Sequence, residues 1–344
     1  MIKKSKKKIK VCLVGAGLIG KERLLSFQQL IQKGRSVEIG GIYDPYSQNK
    51  EEIAKEFQTI FYDSIDTLFE TNPNWIFIAT PHDDAVRITK KALKKGFRVL
   101  VEKPLGRSYR EAKGIYDCAT KKNQLWVGFN YRFFDGIAEA IKDIQKKKFG
   151  DLISLNIVMG HGGNPKDKKG WKLNLKKAGG GCLIDPGVHL LDLCQIISGG
   201  KMKVKSGLSW KGFWKTGIEE EVHLLLECSG FLINLQVSIV RWPSTFRMEI
   251  NGKDKYGIIT GRNRSYGDQK YVIGERWGWM KGGSQKDSEK TILTSANADS
   301  FTKEVDALLF GRKSRDDLKP CSGKEALEIM KILDNCRKFL KLPL

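Results

Sequence analysis

The chain has 344 residues, of which 40% are hydrophobic and 29% are charged. This composition indicates a folded globular protein, most simply of two domains, and excludes a largely disordered chain. The net charge is +22, yet the sequence contains no recognised nucleic-acid module and no apolar run of about 18 residues, so we expect neither a nucleic-acid nor a membrane partner.

The chain begins with a basic segment, residues 1–10, followed by an apolar segment, residues 11–20. Both match the first parts of a secretory signal, but Lys21-Glu22-Arg23 stand where small residues should mark a cleavage site. The seven cysteines are scattered without a C-x-x-C pair, which favours neither a disulfide framework nor a zinc site. We therefore expect a cytoplasmic protein without a bound metal.

The first 130 residues alternate short apolar runs with helical stretches. The predicted strands are Ile9 to Val14, Val37 to Tyr43, Trp75 to Ala79, Arg98 to Val101 and Leu125 to Val127. The predicted helices are Glu22 to Lys33, Asp84 to Lys95 and Ser108 to Lys122. This alternation predicts an α/β fold with a parallel sheet that is covered on both faces.

After about residue 150 the strands follow one another closely, which predicts an antiparallel or mixed sheet. These strands are Asp151 to Met159, Lys203 to Trp210, Val222 to Cys228, Phe231 to Val240 and Phe246 to Ile250. Cys228-Ser229-Gly230 and Asn251-Gly252 are predicted hairpin turns. Predicted helices lie near Pro186 to Ile197, Phe301 to Leu309 and Gly323 to Leu340, and residues 261–288 are predicted to be an irregular loop of unassigned role.

A glycine turn follows the first strand: Gly15-Ala16-Gly17-Leu18-Ile19-Gly20 has G-x-G-x-x-G spacing. The first glycine permits the tight turn, the second lets the backbone approach a pyrophosphate, and the third lets helix and strand pack closely. The helix N-terminus then offers unpaired N–H groups to the phosphates. The position between a strand and a helix predicts a dinucleotide-binding turn that includes Gly15, Gly17, Leu18, Ile19 and Gly20.

Asp44 ends the second strand, 24 residues after Gly20. A carboxylate here can accept hydrogen bonds from a ribose hydroxyl pair and repels a 2′-phosphate, which favours NAD over NADP. The alternative is that Asp44-Pro45 only begins a turn.

Two further motifs end at predicted strands. Glu102-Lys103-Pro104 follows a buried strand, so Lys103 should face the ligand site, because ligands bind at the carboxyl ends of parallel strands. Pro104 restricts Lys103 to extended backbone and permits a cis bond. Asn130 and Arg132, within the sequence GFNYR, sit at the next strand end, where they could contact nicotinamide or substrate.

Asp185 and His189 are four residues apart, which would place them on one face of a helix. The alternatives are that Asp185 and Pro186 form the N-cap and first position of that helix, and that His189 is a buried structural histidine. A strand-end lysine, an Asp-x-x-x-His pair and a dinucleotide turn in one chain favour a catalytic site over these alternatives.

With these motifs the chain resembles the Gfo/Idh/MocA family of oxidoreductases over essentially its whole length. The matching segments are GAGLIG, Thr80-Pro81, EKP, GFNYR and GGG-x-L-x-D-x-G-x-H-x-x-D. The resemblance implies a Rossmann domain at residues 1–132. It also implies an α/β domain at residues 133–344, whose open, mostly antiparallel sheet binds substrate and forms a homodimer or homotetramer.

The resemblance also implies a catalytic set of Lys103, Asp185 and His189 in an NAD-dependent dehydrogenase of sugars or nucleotide-sugars. His189 would take the hydroxyl proton, Lys103 would stabilise negative charge on the reacting oxygen, and Asp185 would orient the substrate. Asp192 would assist or be structural. The predicted cofactor-binding residues beyond the glycine turn are Asp44, Thr80, Pro81, His82, Glu102, Lys103 and Asn130. The predicted substrate-binding residues are Lys103, Arg132, Trp171, Asp185 and His189.

The chain departs from the family pattern after Thr80-Pro81, where Asn and, later, His are common. His82 and Ala85 stand there instead. The segment from Lys166 to Lys177, with His161 and Trp171 near it, would close over an anionic substrate or be a solvated loop. Two other functions stay open: an NAD-using glycosidase of related fold, and a non-catalytic dinucleotide-binding regulator.

Overall fold

The structure is a computed structural model that describes residues 8–121, 123–163, 165, 170–200, 202–228, 230–281, 283–311 and 317–343. Two sheets organise the chain, which confirms the predicted α/β class with an N-terminal parallel sheet and a second, mostly antiparallel sheet. In the part of the chain that is described, no helix combines the length and the apolar character needed to cross a bilayer.

The first sheet has six strands in the order β14-β5-β4-β3-β1-β2, of which β1 to β5 are parallel and β14 is antiparallel to β5. The strands are β1 (Ile9–Val14), β2 (Val37–Tyr43), β3 (Trp75–Ile78), β4 (Arg98–Glu102), β5 (Leu125–Gly128) and β14 (Cys321–Ser322). The apolar runs of β1, β3 and β4 are almost fully buried because helices cover both faces of the sheet.

The helices associated with this sheet are α1 (Leu18–Gln32), α2 (Lys50–Glu56), α3 (Ile65–Glu70), α4 (His82–Lys94) and α5 (Tyr109–Tyr116). Helix α5 is shorter than its predicted range of 108–122. The Ser108 side chain caps it by accepting from the Glu111 N–H.

The second sheet has eight strands in the order β13-β12-β11-β10-β6-β9-β8-β7, antiparallel except for the β6–β9 pair. Its strands are β6 (Leu152–Gly160), β7 (Met202–Trp210), β8 (Glu221–Cys228), β9 (Phe231–Ser238), β10 (Thr245–Gly252), β11 (Lys255–Thr260), β12 (Gln269–Glu275) and β13 (Lys290–Ser295). The remaining helices are α6 (Asp135–Gln145), α7 (Leu175–Ala178), α8 (Gly187–Ser198), α9 (Ser300–Phe310) and α10 (Gly323–Phe339).

Two local predictions in this half are wrong. Asn251 and Gly252 belong to β10, and the hairpin turns at Lys253-Asp254, because strand pairing extends through Gly252. Residues 261–288 are not wholly irregular, since β12 runs through them and pairs with two neighbouring strands. Of the other predicted turn, Ser229 lies outside the described residues.

The chain returns to the first sheet near its C-terminal end. Strand β14 extends that sheet beside β5, while α9 packs on α1 and α10 packs on α5. Residues after 300 therefore contact the first sheet and its helices as well as the second part of the fold.

A buried cluster of charged side chains holds helix α9 against α1 and β4. Arg23 of α1 is fully buried, with its guanidinium 2.6 Å from a Glu102 carboxylate oxygen and 2.7 Å from a Glu304 oxygen. Gly128 leaves room for the cluster, since a Cβ there would lie 2.6 Å from the Arg23 guanidinium. One cation serves two carboxylates, and burial raises the pKa of Glu304 to about 7 even though Arg23 opposes the rise.

We expect Glu304→Gln to remove one contribution to the pH dependence of the free energy of unfolding. Wild-type Glu304 keeps its proton in the folded state up to about pH 7, whereas the group ordinarily ionises near 4.5. Since the folded state then binds more protons, the free energy of unfolding of the wild type should fall relative to the variant as pH rises from 4.5 to about 7. Urea unfolding should show a relative change on the order of 2 kcal/mol.

The matched control is Glu328→Gln, which alters an exposed acid on α10. A difference between Glu304→Gln and wild type that stays constant with pH would contradict the protonation of Glu304.

Candidate active site

A cleft of about 400 Å³ opens at the carboxyl ends of the parallel strands. Topology requires this convergence, because the segments that follow β1, β2, β3 and β4 all emerge at the same edge. Predicted site residues that line the cleft are Gly15, Gly17, Leu18, Ile19, Asp44, Thr80, Pro81, His82, Glu102, Lys103, Trp171 and Asp185.

The glycine turn has the geometry that each of its glycines predicts. Gly15 has a φ of +92°, and a Cβ there would lie 2.6 Å from the Ala79 carbonyl oxygen. A Cβ on Gly20 would lie 2.0 Å from the Gly15 carbonyl oxygen, so Gly20 serves the packing of α1. Gly17 has open space above it, where a ligand can approach the backbone.

The N-terminus of α1 is suited to a phosphate. Gly17 is its N-cap, no side chain of the described residues caps the helix, and its first turn holds no acidic residue. The first N–H groups and the positive end of the helix dipole are therefore not satisfied by a carboxylate of their own turn.

Asp44 lines the cleft and also holds the surrounding turns. Its carboxylate accepts hydrogen bonds from the N–H groups of Ala16 at 2.8 Å, Tyr46 at 2.8 Å and Ser47 at 3.1 Å. The turn-forming alternative is thus real. A carboxylate has about four acceptor positions, so one stays available to a ligand hydroxyl.

Thr80 and His82 follow β3. The Thr80 hydroxyl is buried without a hydrogen-bond partner among the described residues, although it lines the cleft. His82 donates from Nδ1 to the Ala178 carbonyl at 2.7 Å, which fixes its tautomer, and its ring packs edge-on against Trp171 at 4.7 Å. Burial lowers the pKa of His82 to about 4, so the ring is neutral at physiological pH.

The centre of the site is an ion pair between the two halves of the chain. Lys103 Nζ lies 2.5 Å from Asp185 Oδ1, and Lys172 Nζ lies 3.4 Å from Asp185 Oδ2. Burial would raise the pKa of Asp185, but the Lys103 and Lys172 ammonium groups hold it well below its usual 3.8. Lys103-Pro104 and Asp185-Pro186 are both cis peptides.

The predicted helical relation between Asp185 and His189 is wrong. Helix α8 begins at Gly187 with Pro186 as its N-cap, so Asp185 precedes the helix and does not cap it. The carboxylate pairs instead with Lys103, which directly follows β4.

His189 lies on the first turn of α8 and is 4% exposed. Its ring stacks on Tyr131 at 3.7 Å and meets Phe129 edge-on at 5.7 Å, and its Nδ1 has no hydrogen-bond partner among the described residues. Burial lowers its pKa well below 6.5, and Lys103 lowers it further, so the imidazole is neutral.

Two other predicted site residues make their hydrogen bonds within the protein. Arg132 is 2% exposed and holds the Asp192 carboxylate through two nitrogens, with the Lys319 carbonyl and Glu325 as further partners. Its guanidinium is paired with Asp192, and Arg132 is not among the residues that line the cleft, so the predicted substrate contact stays a prediction. Asn130 is buried and donates to the Ser300 hydroxyl at 2.9 Å, away from the cleft lining.

A second, smaller cavity of about 80 Å³ shares Lys172 and Asp185 with the first. Its apolar walls are Leu173, Trp214, Ile218 and Ile239, and its other lining residues are His161, Gly163 and Gly181. Hydrogen bonds from His82, Arg107 and Arg337 to the carbonyls of Ala178, Lys176 and Gly179 fasten the segment that carries Trp171 and Lys172. Of the predicted basic loop, residues 166–169 lie outside the described residues.

Sequence reasoning missed several lining residues. Tyr46, Arg87 and Trp214 line the cavities although they stand outside every motif. The proximity of Tyr46 to Asp44, two residues away, was a usable signal; Trp214 carried none, because only the tertiary fold brings it to Asp185. In the described ranges, no cluster of three or more His, Cys, Asp or Glu side chains is placed to hold a metal ion.

These features fit a dinucleotide on grounds of shape and chemistry. An uncapped helix end, an open glycine, a partnerless Thr80 hydroxyl and the Asp44 carboxylate lie along one cleft. The helix end suits a phosphate, and the open glycine lets the ligand approach the backbone. The Thr80 hydroxyl suits a polar ligand atom, and the Asp44 carboxylate suits a ribose hydroxyl pair.

Comparison with known proteins gives two family matches. Residues 9–129 match the Gfo/Idh/MocA description "Oxidoreductase family, NAD-binding Rossmann fold". Residues 137–256 match the "GFO/IDH/MocA C-terminal domain".

Three curated relatives illustrate the similarity. An uncharacterized oxidoreductase of Streptococcus pneumoniae is 28% identical over 70% of this chain and 64% of its own length. Levoglucosan dehydrogenase of Pseudarthrobacter phenanthrenivorans is 26% identical over 58% of this chain and 54% of its own. Glucose-6-phosphate 3-dehydrogenase of Bacillus subtilis is 28% identical over 54% and 52%. The matched segments thus span between half and two thirds of these relatives.

Solved structures share the fold over nearly the whole chain. Levoglucosan dehydrogenase in complex with NADH and levoglucosan has a TM-score of 0.83 at 17% identity, covering 97% of this chain and 98% of that one. UDP-N-acetylglucosamine 3-dehydrogenase from Acidithiobacillus ferrooxidans has a TM-score of 0.76 at 17% identity, covering 98% and 99%.

Proposed function

Because the chain belongs to the Gfo/Idh/MocA oxidoreductase family, we propose that it oxidises a hydroxyl group of a sugar with NAD. The observation that carries this proposal is the Lys103–Asp185 ion pair at the end of a dinucleotide-shaped cleft. A binding protein without catalysis has no need of a charged pair at that position, where burial of the charges is costly.

When bound, NAD supplies the carbon that accepts a hydride. The protein must accept the proton of the substrate hydroxyl and stabilise the negative charge that develops on its oxygen. Lys103 donates a hydrogen bond to the reacting oxygen and stabilises its developing negative charge. Asp185 holds Lys103 and accepts hydrogen bonds from the neighbouring substrate hydroxyl.

His189 takes the hydroxyl proton as general base. A base must be unprotonated before it acts, and burial together with Lys103 keeps the His189 pKa well below 6.5. The neutral imidazole is thus available at physiological pH. His82 is also neutral, and its Nδ1–H donates to the Ala178 carbonyl, which ties the ring to the segment that carries Trp171.

The smaller cavity is proposed to hold the sugar ring. Its Trp214 side chain suits the apolar face of a pyranose, while Lys172 and Asp185 suit its hydroxyls. The names of the relatives indicate free, phosphorylated and nucleotide-linked sugars as substrates. They are levoglucosan dehydrogenase, glucose-6-phosphate 3-dehydrogenase and UDP-N-acetylglucosamine 3-dehydrogenase. A cavity of about 80 Å³ favours a single sugar over a nucleotide-sugar here.

The expected assembly and location are also proposals. The outer face of the second sheet carries Leu225 and Leu232, which are 38% and 47% exposed, and we propose this face as the subunit interface of a homo-oligomer. All seven cysteines are free thiols, which favours the reducing cytoplasm.

We expect Asp44→Asn to lower the ratio of NADP to NAD dissociation constants about tenfold. The variant loses charge that binds the ribose hydroxyls and repels a 2′-phosphate. Loss of the turn contacts affects both coenzymes alike, so the ratio isolates the ribose role. Calorimetric titration with each coenzyme measures it.

Glu38→Gln is the control for this substitution, because Glu38 is an exposed acid on the same strand β2. An unchanged NADP/NAD ratio in Asp44→Asn would remove Asp44 from coenzyme selection.

We expect His189→Ala to lower kcat at least about 100-fold while NAD affinity stays within about twofold, because the base acts on the hydroxyl and not on the coenzyme. NADH absorbance is followed with a panel of free sugars, sugar phosphates and UDP-sugars. The free sugars should support turnover by the wild type.

His223→Ala is the matched control, since His223 is exposed on β8 and pairs with Glu221. Unaltered turnover in His189→Ala would refute the base assignment. Hydrolysis of a glycoside without net NADH would instead support an NAD-using glycosidase, and preferred turnover of UDP-sugars would overturn the single-sugar proposal.

A further inference from the structure

We propose that Arg262 is a positioning residue for the His189 imidazole and that it acts through the intervening ring of Tyr131. The proposal rests on the proposed function only in giving His189 its catalytic task. Its residues come from three separate segments: α8, the 3₁₀ turn Asn130–Phe133 after β5, and the loop that follows β11.

The three groups form a layered stack. The imidazole of His189 lies parallel to the Tyr131 ring, with centroids 3.7 Å apart and planes 6° apart. The Arg262 guanidinium carbon lies 4.6 Å from the centroid of the same Tyr131 ring. A guanidinium is attracted to the electron-rich face of a phenol ring, so Arg262 holds Tyr131 in the plane against which His189 rests.

Stacking on the Tyr131 ring restrains the orientation of the His189 imidazole. A general base is commonly oriented by a hydrogen bond to its second ring nitrogen. Here Nδ1 of His189 is buried without a partner among the described residues, and Phe129 meets the ring edge-on. The orientation of His189 therefore depends on Tyr131, whose hydroxyl reaches the Met159 sulfur at 3.5 Å.

Arg262 is itself fixed in place. Its guanidinium also lies over Tyr266 at 4.3 Å and near Phe134 at 5.6 Å. The loop 261–267 is compact, with positive φ at Gly261, Asn263, Arg264 and Gly267, and Asn263 donates to the Asn297 carbonyl. In the same loop Arg264 pairs with Glu22 of α1 at 2.7 Å.

The charge of Arg262 also bears on His189. The charged groups that act on this imidazole are Lys103, Asp185 and Arg262; both cations lower its pKa and the carboxylate raises it, while burial is the largest influence. Tyr131 stays protonated, because burial raises its pKa far above the neutral range. Arg262 thus helps to keep the base unprotonated as well as oriented.

We expect Arg262→Met to lower kcat about fivefold with little change in NAD affinity, because the ring support is lost. Loss of the cation should move the acid limb of the kcat/KM profile to higher pH. In coenzyme-free protein, imidazole NMR should show the His189 pKa rising and its Tyr131 ring-current shift falling. This NMR measurement tests the stack even if the sugar substrate has been assigned wrongly.

Two comparisons separate positioning from general stability. Arg262→Lys keeps the charge but not the planar guanidinium, so it should retain the pH profile and recover only part of kcat. Arg276→Met is the control, since Arg276 lies 5.2 Å over the exposed Trp277 ring, in a similar arginine–aromatic pair far from the cleft lining.

If Arg262→Met fails to fold, two substitutions at Tyr131 test the stack instead. Tyr131→Phe keeps the ring and should preserve the His189 shift and kcat, whereas Tyr131→Leu should lose both. The proposal is overturned if Arg262→Met matches the wild type in kcat and His189 pKa, if Arg276→Met produces the same losses, or if Tyr131→Leu behaves like Tyr131→Phe.

Discussion

A charge brought in from each half of the chain determines how this cleft is built. Lys103 follows β4 of the parallel sheet and Asp185 precedes α8 of the second part, and their side chains are 15% and 19% exposed. Either charge alone would be costly to desolvate, whereas the pair at 2.5 Å offsets that cost. Packing of the two parts of the fold therefore also brings these two charges together.

The surrounding interactions divide between holding the fold and serving the cleft. Arg132 with Asp192, and Arg23 with Glu102 and Glu304, are buried ion groups that tie helices to the first sheet. They lie close to the site in sequence, yet their charged groups are paired with one another. The cavities are lined by the charged side chains of Lys103, Lys172 and Asp185, which are therefore accessible to a ligand.

The sequence predicted best what depends on local order along the chain. Strand ends in a parallel sheet share one edge, so the positions of Gly15, Asp44, Thr80 and Lys103 at the cleft followed from the alternation of strands and helices. Tertiary pairing could not be predicted in this way. The pairing of Arg132 with Asp192, 60 residues later, has no sequence signal. Arg262 has none either, because its partner Tyr131 lies 131 residues earlier. The turn at Lys253-Asp254 shows the same limit, since the strand ladder overrode the local preference of Asn251-Gly252.

The site depends most on Lys103 keeping Asp185 ionised inside the cleft. A carboxyl ¹³C NMR titration of coenzyme-free protein, with the resonance assigned by its loss in Asp185→Asn, measures this directly. The wild-type Asp185 pKa should lie well below 3.8, and Lys103→Met should raise it more than Lys172→Met, because Lys103 is the stronger of the two cationic influences. An Asp185 pKa that is unaltered in Lys103→Met would contradict the ion pair on which the site is built.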